Sequence, residues 1–590
     1  MLARRGERRR GRDRAHARER LRTLAHAVRT DAREARSAAG GGAGRHDRAA
    51  QRLRRPGMAR RGARGTATVR DLAPRGRAGR HRGPAQPEAH SARSAATAGQ
   101  LEAEQWVKAS HGLTANFLFL MASNVLSPVF SMVLVLAISH LQGVEMLGKY
   151  SLVMTIFIVG QSCATLGLSI IITREVSKAP QLAGHYFLNA CALTGGLIAL
   201  ALAALVPGAW SVQHDAEMRL AVALTLLSLL PSVPMAYGEA VLLAFGRAAD
   251  YVSVGLAENV ARAAIGTLLV FSGYDVAAIA AALLAMRILA SIVLVVVLRH
   301  RGVAFSARFD RALWRELIAQ VPVLGSIPIV NQIYARSDIL LLTSLGSWRD
   351  VGLYSAGLRL IDLARTLPMA YSKAIYPILS RLYGQRGDDF AAASRRFVRH
   401  GLLLVTPLTV VLCGCSPVLI TAFYGASVAG GEPSLATLSW TLVPHTIACV
   451  LAQALFAAGR QAIDLRVNVI STVLSIAANV TLIPWLGATG AAIAMLLSMS
   501  VYASLQYFWT KHHVVDPRAL EWVAKITAAT LLGAVVTVVL LRANPIVAVA
   551  AGLAVYGGAV LGFGLVTRSE LDGWRTQLDS MRTRYLWGAS

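Results

Sequence analysis

Residues 186–206 read YFLNACALTGGLIALALAALV and contain no charged side chain. At a rise of 1.5 Å per residue, a helix of this length extends about 30 Å, which matches the hydrocarbon core of a bilayer. Similar apolar stretches recur along the chain from Leu113 onward. They are continuous rather than alternating and too long for the strands of a membrane barrel. The pattern therefore predicts an all-α protein that crosses the membrane many times.

The composition agrees with a membrane protein. Of the 590 residues, 55% are hydrophobic and 16% are charged, whereas soluble proteins are nearer a quarter charged. This composition excludes a soluble enzyme with a solvated surface. We predict about fourteen spans, at 114–138, 150–172, 186–206, 218–241, 251–271, 276–298, 318–345, 351–378, 401–423, 435–457, 465–484, 488–509, 523–541 and 545–566.

The first hundred residues differ in composition from the rest of the chain. They contain 27 Arg, no Lys and 8 acidic residues, and almost no Val, Ile, Phe or Tyr. Such a segment cannot bury enough apolar surface to fold, so we predict a disordered basic arm over 1–105. No aromatic residues are interleaved for base stacking, so no nucleic acid is expected as a partner. The alternative is an upstream reading frame, with the true start at Met58 or within 101–107.

Basic residues in the connecting loops predict the orientation. Lys and Arg concentrate in the even-numbered loops, which include the linker 299–317, and in the tail 567–590. The positive-inside rule then places both termini in the cytoplasm. No loop is long enough for a catalytic domain and no Walker motif is present, so we expect no enzyme activity. The five cysteines lie in apolar runs, and we expect neither a metal site nor a cofactor.

Charged residues within the seventh and eighth spans are the main candidates for a functional site, because charge at bilayer depth usually lines a cavity. Arg336 and Asp338 lie on the seventh span. On the eighth span, helical periodicity places four charged residues on one face, namely Arg359, Asp362, Arg365 and Lys373. The loop 346–350 is short, which predicts antiparallel neighbours and pairing among Arg336, Asp338, Arg359 and Asp362. Two readings stay open, a structural ion-pair cluster and a basic wall that faces an anionic ligand in a hydrated cavity.

Other polar residues within spans are weaker candidates. Glu258 and Arg262 stand four residues apart on the fifth span, a spacing that suits either an internal salt bridge or a cavity role. A polar stripe follows the eleventh span through Asn468, Thr472, Ser475 and Asn479. Hydrogen bonding between helices and contact with a ligand explain this stripe equally well. On the first span, Asn124 is a further candidate.

Several motifs resemble one family. The sequence from Ser337 to Leu342, SDILLL, followed by VGLYSAGLRL from Val351, is similar to the middle of polysaccharide-biosynthesis flippases of the Wzx type. NVTLIP from Asn479 and LGATGAAIA from Leu486 resemble the C-terminal signature of that family. The likeness spans roughly 110–510 and marks the MATE-like exporter superfamily, which contains the Wzx type. The basic arm departs from the family pattern.

The resemblance implies two six-helix lobes, an N-lobe over 113–298 and a C-lobe over 318–509, with two additional C-terminal helices in 523–566. It implies a flippase of the bacterial inner membrane that moves an undecaprenyl-diphosphate-linked oligosaccharide by alternating access, for O-antigen, capsule or exopolysaccharide synthesis. Its partners would be this lipid-linked oligosaccharide, membrane lipid and a proton or Na⁺ as coupling ion. The alternatives are a drug or cation antiporter of the same superfamily and a membrane-bound polysaccharide polymerase or ligase.

Overall fold

The computed structural model describes residues 126–566, except 213–214, 306–308, 385–386 and 517–519. Within these ranges the chain forms α-helices and short 3₁₀ turns, and no strand occurs there. The predicted all-α fold is therefore confirmed. The basic arm, Asn124 and the tail 567–590 lie outside the described residues.

The helices are numbered here in chain order. They are α1 (Leu126–Leu141), α2 (Gly143–Thr165), α3 (Leu168–Lys178), α4 (Ala183–Val212), α5 (Ala216–Leu227), α6 (Leu229–Ala244), α7 (Ala248–Phe271), α8 (Val276–His300), α9 (Arg311–Leu324), α10 (Ser326–Leu345), α11 (Trp348–Tyr383), α12 (Gly387–Gly414), α13 (Ser416–Tyr424), α14 (Glu432–Ser439), α15 (Leu442–Ala457), α16 (Gln461–His513), α17 (Leu520–Leu540) and α18 (Pro545–Gly562).

Within the described residues, each predicted span coincides with one helix, with two consecutive helices or with half of α16. Ten described stretches are long and apolar enough to cross a membrane, and α16 alone covers two predicted spans. The helices α10 and α11 are not among the ten, because they carry the charged residues noted above. The exact count of fourteen spans therefore stays a prediction.

Some predicted spans are interrupted. The second span breaks between α2 and α3, where Leu166 and Gly167 both adopt positive φ angles of 49° and 69°. The seventh span breaks at Gly325, between α9 and α10. The two breaks lie against each other, since a Cβ added at Gly325 would be 2.6 Å from the carbonyl oxygen of Leu166. Glycine at this position permits the two broken spans to come into contact.

The sharp turn between the eleventh and twelfth predicted spans lies inside α16. Gly487 has φ 52° and ψ −128°, a conformation that L-residues rarely adopt. The Asp350 carboxylate packs against this glycine and accepts a hydrogen bond of 3.3 Å from the Ala488 amide. Asp350 also forms a reciprocal capping box with Ser347 at the start of α11. One side chain thus starts α11 and fixes the turn of α16.

Two hydrophobic cores support the fold. One runs through the N-lobe and continues onto α10 and α11, and the other joins the C-lobe to α17 and α18. The helix α2 packs along both α10 and α11. All described helices belong to one compact unit, so the boundary between the two lobes stays a prediction. The packing of α2 on α10 and α11 nevertheless brings the charged candidates against the N-lobe.

Candidate functional site

Two arginines share one carboxylate in the C-lobe. The Asp362 carboxylate lies 3.1 Å from Nη2 of Arg336 and 3.5 Å from Nη1 of Arg365. Arg365 also donates a hydrogen bond of 3.2 Å to the hydroxyl of Thr441. The arginine side chains are only 19% and 11% exposed, so both guanidinium groups are largely shielded from solvent. The pairing of α10 with α11 expected from the short loop is present, as the Arg336–Asp362 contact.

Asp338 does not join this ion pair. It is 1% exposed and accepts a hydrogen bond from the hydroxyl of Tyr354 and another, of 2.8 Å, from the Ile339 amide. The predicted pairing through Asp338 is therefore wrong, because its carboxylate binds the neutral hydroxyl of Tyr354 on α11 instead of an arginine. The sequence offered a signal for Tyr354, which lies in an apolar run 16 residues after Asp338.

Arg359 faces the N-lobe. It lines a cavity of about 10 Å³ together with Arg336, Asp362 and two hydroxyl residues of α2, Ser151 and Thr155. This volume is close to the least that a single water needs. No ion pair within 4.0 Å joins Arg359 to a carboxylate among the described residues. The interface between α2 and α11 is thus closed around a small polar cavity with a guanidinium at its wall.

Lys373 is separated from the other three charged candidates of α11, which are Arg359, Asp362 and Arg365. Its side chain is exposed, and it lies beyond Pro368, 14 residues after Arg359. At 1.5 Å per residue this is about 21 Å along the helix. The prediction of one shared face did not consider this distance along the helix, and the structure does not bring Lys373 into the cluster.

The N-lobe contains a separate buried ion pair. Glu258 of α7 lies 3.2 Å from Nη1 of Arg287 on α8, with side chains 5% and 10% exposed. The guanidinium of Arg287 also lies over the ring of Phe157, 4.9 Å from its centroid. Arg262 instead donates to Asn259 at 2.6 Å. The internal Glu258–Arg262 bridge is therefore not formed, because a neighbouring helix supplies the partner.

Removing one member of this pair is expected to destabilise the protein strongly. Arg287→Met leaves the Glu258 carboxylate buried without its counter-charge, which typically costs about 3–5 kcal/mol. The double variant with Glu258→Gln should recover most of that loss, since the carboxylate that lost its ion-pair partner is then removed as well. Thermal unfolding of the purified protein in detergent measures both. Equal unfolding temperatures for the single and double variants would show that the two charges are not coupled.

The polar stripe of α16 is buried. Asn468, Thr472, Ser475 and Asn479 are all at most 8% exposed. Most of their hydrogen bonds stay within the helix, and the Asn468 amide donates to Asn331 of α10. The stripe thus joins α16 to α10 in this conformation. Among the described residues, no cluster of three metal-ligating side chains occurs, and the five cysteines are free.

Glycines allow α2 and α11 to touch at one end of their interface. A Cβ at Gly148 of α2 would overlap the carbonyl oxygen of Trp348, and a Cβ at Gly352 of α11 would overlap that of Val144. Nearby, Ser427 donates a hydrogen bond of 2.7 Å to the carbonyl oxygen of Ser139. These contacts lie next to loops that are predicted to be external. In the predicted orientation, the outer end of the interface is therefore closed.

Two family models match this chain. The model of polysaccharide biosynthesis proteins matches residues 113–383, and the MatE model matches residues 328–481. The protein named probable flippase AglR, from Haloferax volcanii, is 33% identical over 177 residues, which cover 28% of this chain and 36% of that protein. The match thus spans about a third of the length of this relative.

Solved structures share the fold. A lipid II flippase MurJ in an inward closed conformation superimposes with a TM-score of 0.62 at 15% identity, covering 76% of this chain and 98% of that one. An inward-facing multidrug resistance MATE family transporter of the MOP superfamily gives 0.57 at 18% identity, covering 66% and 95%. At these identities the likeness shows a shared fold. The chain is thus a multi-pass membrane protein that shares the fold of these structures and matches the polysaccharide-biosynthesis model over residues 113–383 and the MatE model over residues 328–481.

Proposed function

We propose that the chain is a flippase that moves an undecaprenyl-diphosphate-linked oligosaccharide across the bacterial inner membrane by alternating access. The observation that carries the proposal is the surplus of guanidinium groups where the two lobes meet. Arg336, Arg359 and Arg365 stand against Asp362, and a second acid in the part of the chain that the structure describes, Asp338, is held by Tyr354. A guanidinium fork suits the oxygens of a diphosphate.

The arginines have unused donors. The Nε atoms of Arg336 and Arg365 are buried without a hydrogen-bond partner among the described residues. Buried donors that lack an acceptor are costly, and a phosphate oxygen would relieve that cost. In the closed interface Asp362 holds both guanidinium groups; when the lobes separate, the diphosphate would take its place. Asp362 is therefore proposed as a counter-ion that keeps the arginines in position between transport cycles.

The remaining sequence candidates have other proposed roles. The stripe from Asn468 to Asn479 packs against α10, so we propose that it meets sugar hydroxyls only after the lobes have moved apart. Glu258 with Arg287 and Arg262 with Asn259 are internal contacts of the N-lobe. A proton or Na⁺ as coupling ion, both termini in the cytoplasm and a contact of Lys373 with the headgroup stay predictions.

The two alternative functions predict different sites. An antiporter of drugs or cations of the same superfamily is expected to have a negatively charged, aromatic cavity, whereas the small cavity between the lobes has two arginines and one aspartate at its wall. A polysaccharide polymerase or ligase is expected to carry catalytic residues on a large external loop. The predicted external loops are short.

The experiment is a deletion of the gene combined with lipid analysis. We expect lipid-linked oligosaccharide to accumulate on the cytoplasmic side of the deletion strain, and expression of the chain to remove the accumulation. The purified chain in vesicles should also translocate a fluorescent undecaprenyl-diphosphate saccharide. Sensitivity to cationic drugs without saccharide accumulation would favour the antiporter, and accumulation of flipped but unpolymerised saccharide would favour the polymerase.

A further inference from the structure

An apolar groove of about 410 Å³ lies on the membrane-spanning part of the N-lobe. It is lined by α2, α4, α5 and α6, and by Leu340 of α10 from the C-lobe. The polar side chain in its wall, Thr194, has its hydroxyl bound to the Ala190 carbonyl oxygen at 2.7 Å. The groove is open on one side, where Leu197 and Leu205 are 45% and 53% exposed. It has no group that would bind a charged headgroup.

The groove and the arginine cavity share one pair of helices. On α2 the cavity is lined by Met154 and Ile158, and the groove by Ile156 and Val159. On α10 the cavity is lined by Ile339 and the groove by the next residue, Leu340. One face of α2 thus lines the basic cavity, and another face of the same helical turns lines the apolar groove. A molecule with an anionic head and a long apolar chain fits this arrangement.

We propose that the groove between α2, α4 and α10 holds the polyisoprenoid tail of the lipid whose diphosphate meets Arg336 and Arg359. The inference rests on the proposed function and names the place of the tail in it. Because α10 belongs to the C-lobe and the other walls to the N-lobe, rocking of the lobes would widen or narrow the groove. The tail would then stay in the bilayer beside the lobe interface while the headgroup crosses.

A second apolar groove provides the comparison. It has about 500 Å³ and is lined by Trp440 and by α15, α16 and α17, with Ser500, Ser504 and Tyr507 in its wall. None of its lining residues adjoins a residue that lines the arginine cavity. It lies between the C-lobe and α17 rather than between the two lobes. Its occupation by the tail is therefore the competing outcome of the test.

Cross-linking from Cys163 tests the inference directly. Cys163 lines the groove and is exposed, so it can carry a benzophenone after the other four cysteines are replaced by Ala. The full chain is placed in phosphatidylglycerol vesicles that contain undecaprenyl diphosphate, irradiated and analysed by mass spectrometry. The control carries the benzophenone on Leu200→Cys, because Leu200 is 73% exposed on α4 and does not line the groove.

We expect polyprenyl adducts at Cys163 to exceed the mole fraction of polyprenyl lipid in the vesicle, and adducts at position 200 to follow that fraction. Equal adduct ratios at the two positions, or phospholipid adducts alone at Cys163, would overturn the inference. The proposed function is measured separately, by translocation in the same vesicles. Translocation without polyprenyl enrichment at Cys163 refutes binding of the tail in this groove but not the flippase function. Absence of translocation refutes the flippase function itself.

Filling each groove gives a second readout. Ala201→Trp places a large ring in the N-lobe groove, and Leu200→Trp places the same ring on the neighbouring lipid-facing position. Ser504→Trp fills the second groove. We expect Ala201→Trp alone to slow translocation by about tenfold, the factor for roughly 60 Å² of tail surface left unburied. An equal loss in Leu200→Trp, or a loss confined to Ser504→Trp, contradicts the proposal.

Discussion

Reversing the charge at Arg359 and Arg365 together is expected to abolish export while the protein still inserts in the membrane. Arg359 lines the small cavity, and Arg365 shares Asp362 with Arg336. The guanidinium groups of Arg359 and Arg365 would therefore both attract a diphosphate at a partly shielded site, where a single charge pair at about 4 Å contributes about 4 kcal/mol. Glutamates would replace this attraction by repulsion. Translocation of a fluorescent undecaprenyl-diphosphate saccharide should therefore fall by at least about a hundredfold. Membrane-inserted protein is quantified in parallel.

The control for this prediction is a charge reversal elsewhere on α11. Arg381 lies in the last turn and is exposed, so Arg381→Glu should leave translocation within about twofold, as expected for a screened surface charge. Arg359→Lys separates charge from geometry, because lysine keeps the charge but loses the bidentate fork. Full export by the doubly reversed protein would exclude the arginines from substrate binding.

The fold could be predicted because bilayer thickness sets the length of each apolar segment, independently of the rest of the sequence. A span needs about 20 apolar residues, and that requirement is visible in any window of the sequence. The interruptions were not predicted, since the positive φ angles of Leu166 and Gly167 change backbone geometry without changing hydropathy, and the break at Gly325 leaves hydropathy equally unchanged. The same holds for the turn of α16 at Gly487, whose position was predicted from span length but whose support by Asp350 was not.

The candidate site could be predicted only where sequence neighbours become spatial neighbours. The short loop before α11 brings Arg336 to Asp362, as the sequence indicated. A partner on a helix that is not directly connected was missed, since Thr441 lies 76 residues from Arg365. Arg287 was also missed, although it lies on the helix that directly follows that of Glu258, 29 residues away. Helical periodicity gives direction around one helix but says nothing about which other helix lies there. That information depends on tertiary packing.

A single methyl group at Gly352 is expected to hold the lobes apart at their predicted outer end. In the closed structure a Cβ at this position overlaps the carbonyl oxygen of Val144, and the backbone of α2 cannot move away without separating the helices. Overpacking of this kind typically costs about 1–3 kcal/mol, and here it destabilises only the closed state. An equilibrium between two conformations would shift by about tenfold to a hundredfold. Translocation should fall by a similar factor, because every cycle requires this end to close.

Accessibility of the arginine cavity distinguishes an open outer end from general damage. Ser151 lines that cavity and is 3% exposed, so Ser151→Cys in a protein without other cysteines should resist a membrane-impermeant thiol reagent added from outside. Adding Gly352→Ala should make this cysteine reactive. The matched control is Gly255→Ala on α7, where a Cβ meets nothing within 4 Å, so only helix propensity changes. If Gly352→Ala translocates like the wild type and its cysteine stays unreactive, the glycine contact is not the outer gate. If the cysteine becomes reactive in both Gly352→Ala and Gly255→Ala, the substitution loosens the fold rather than the interface.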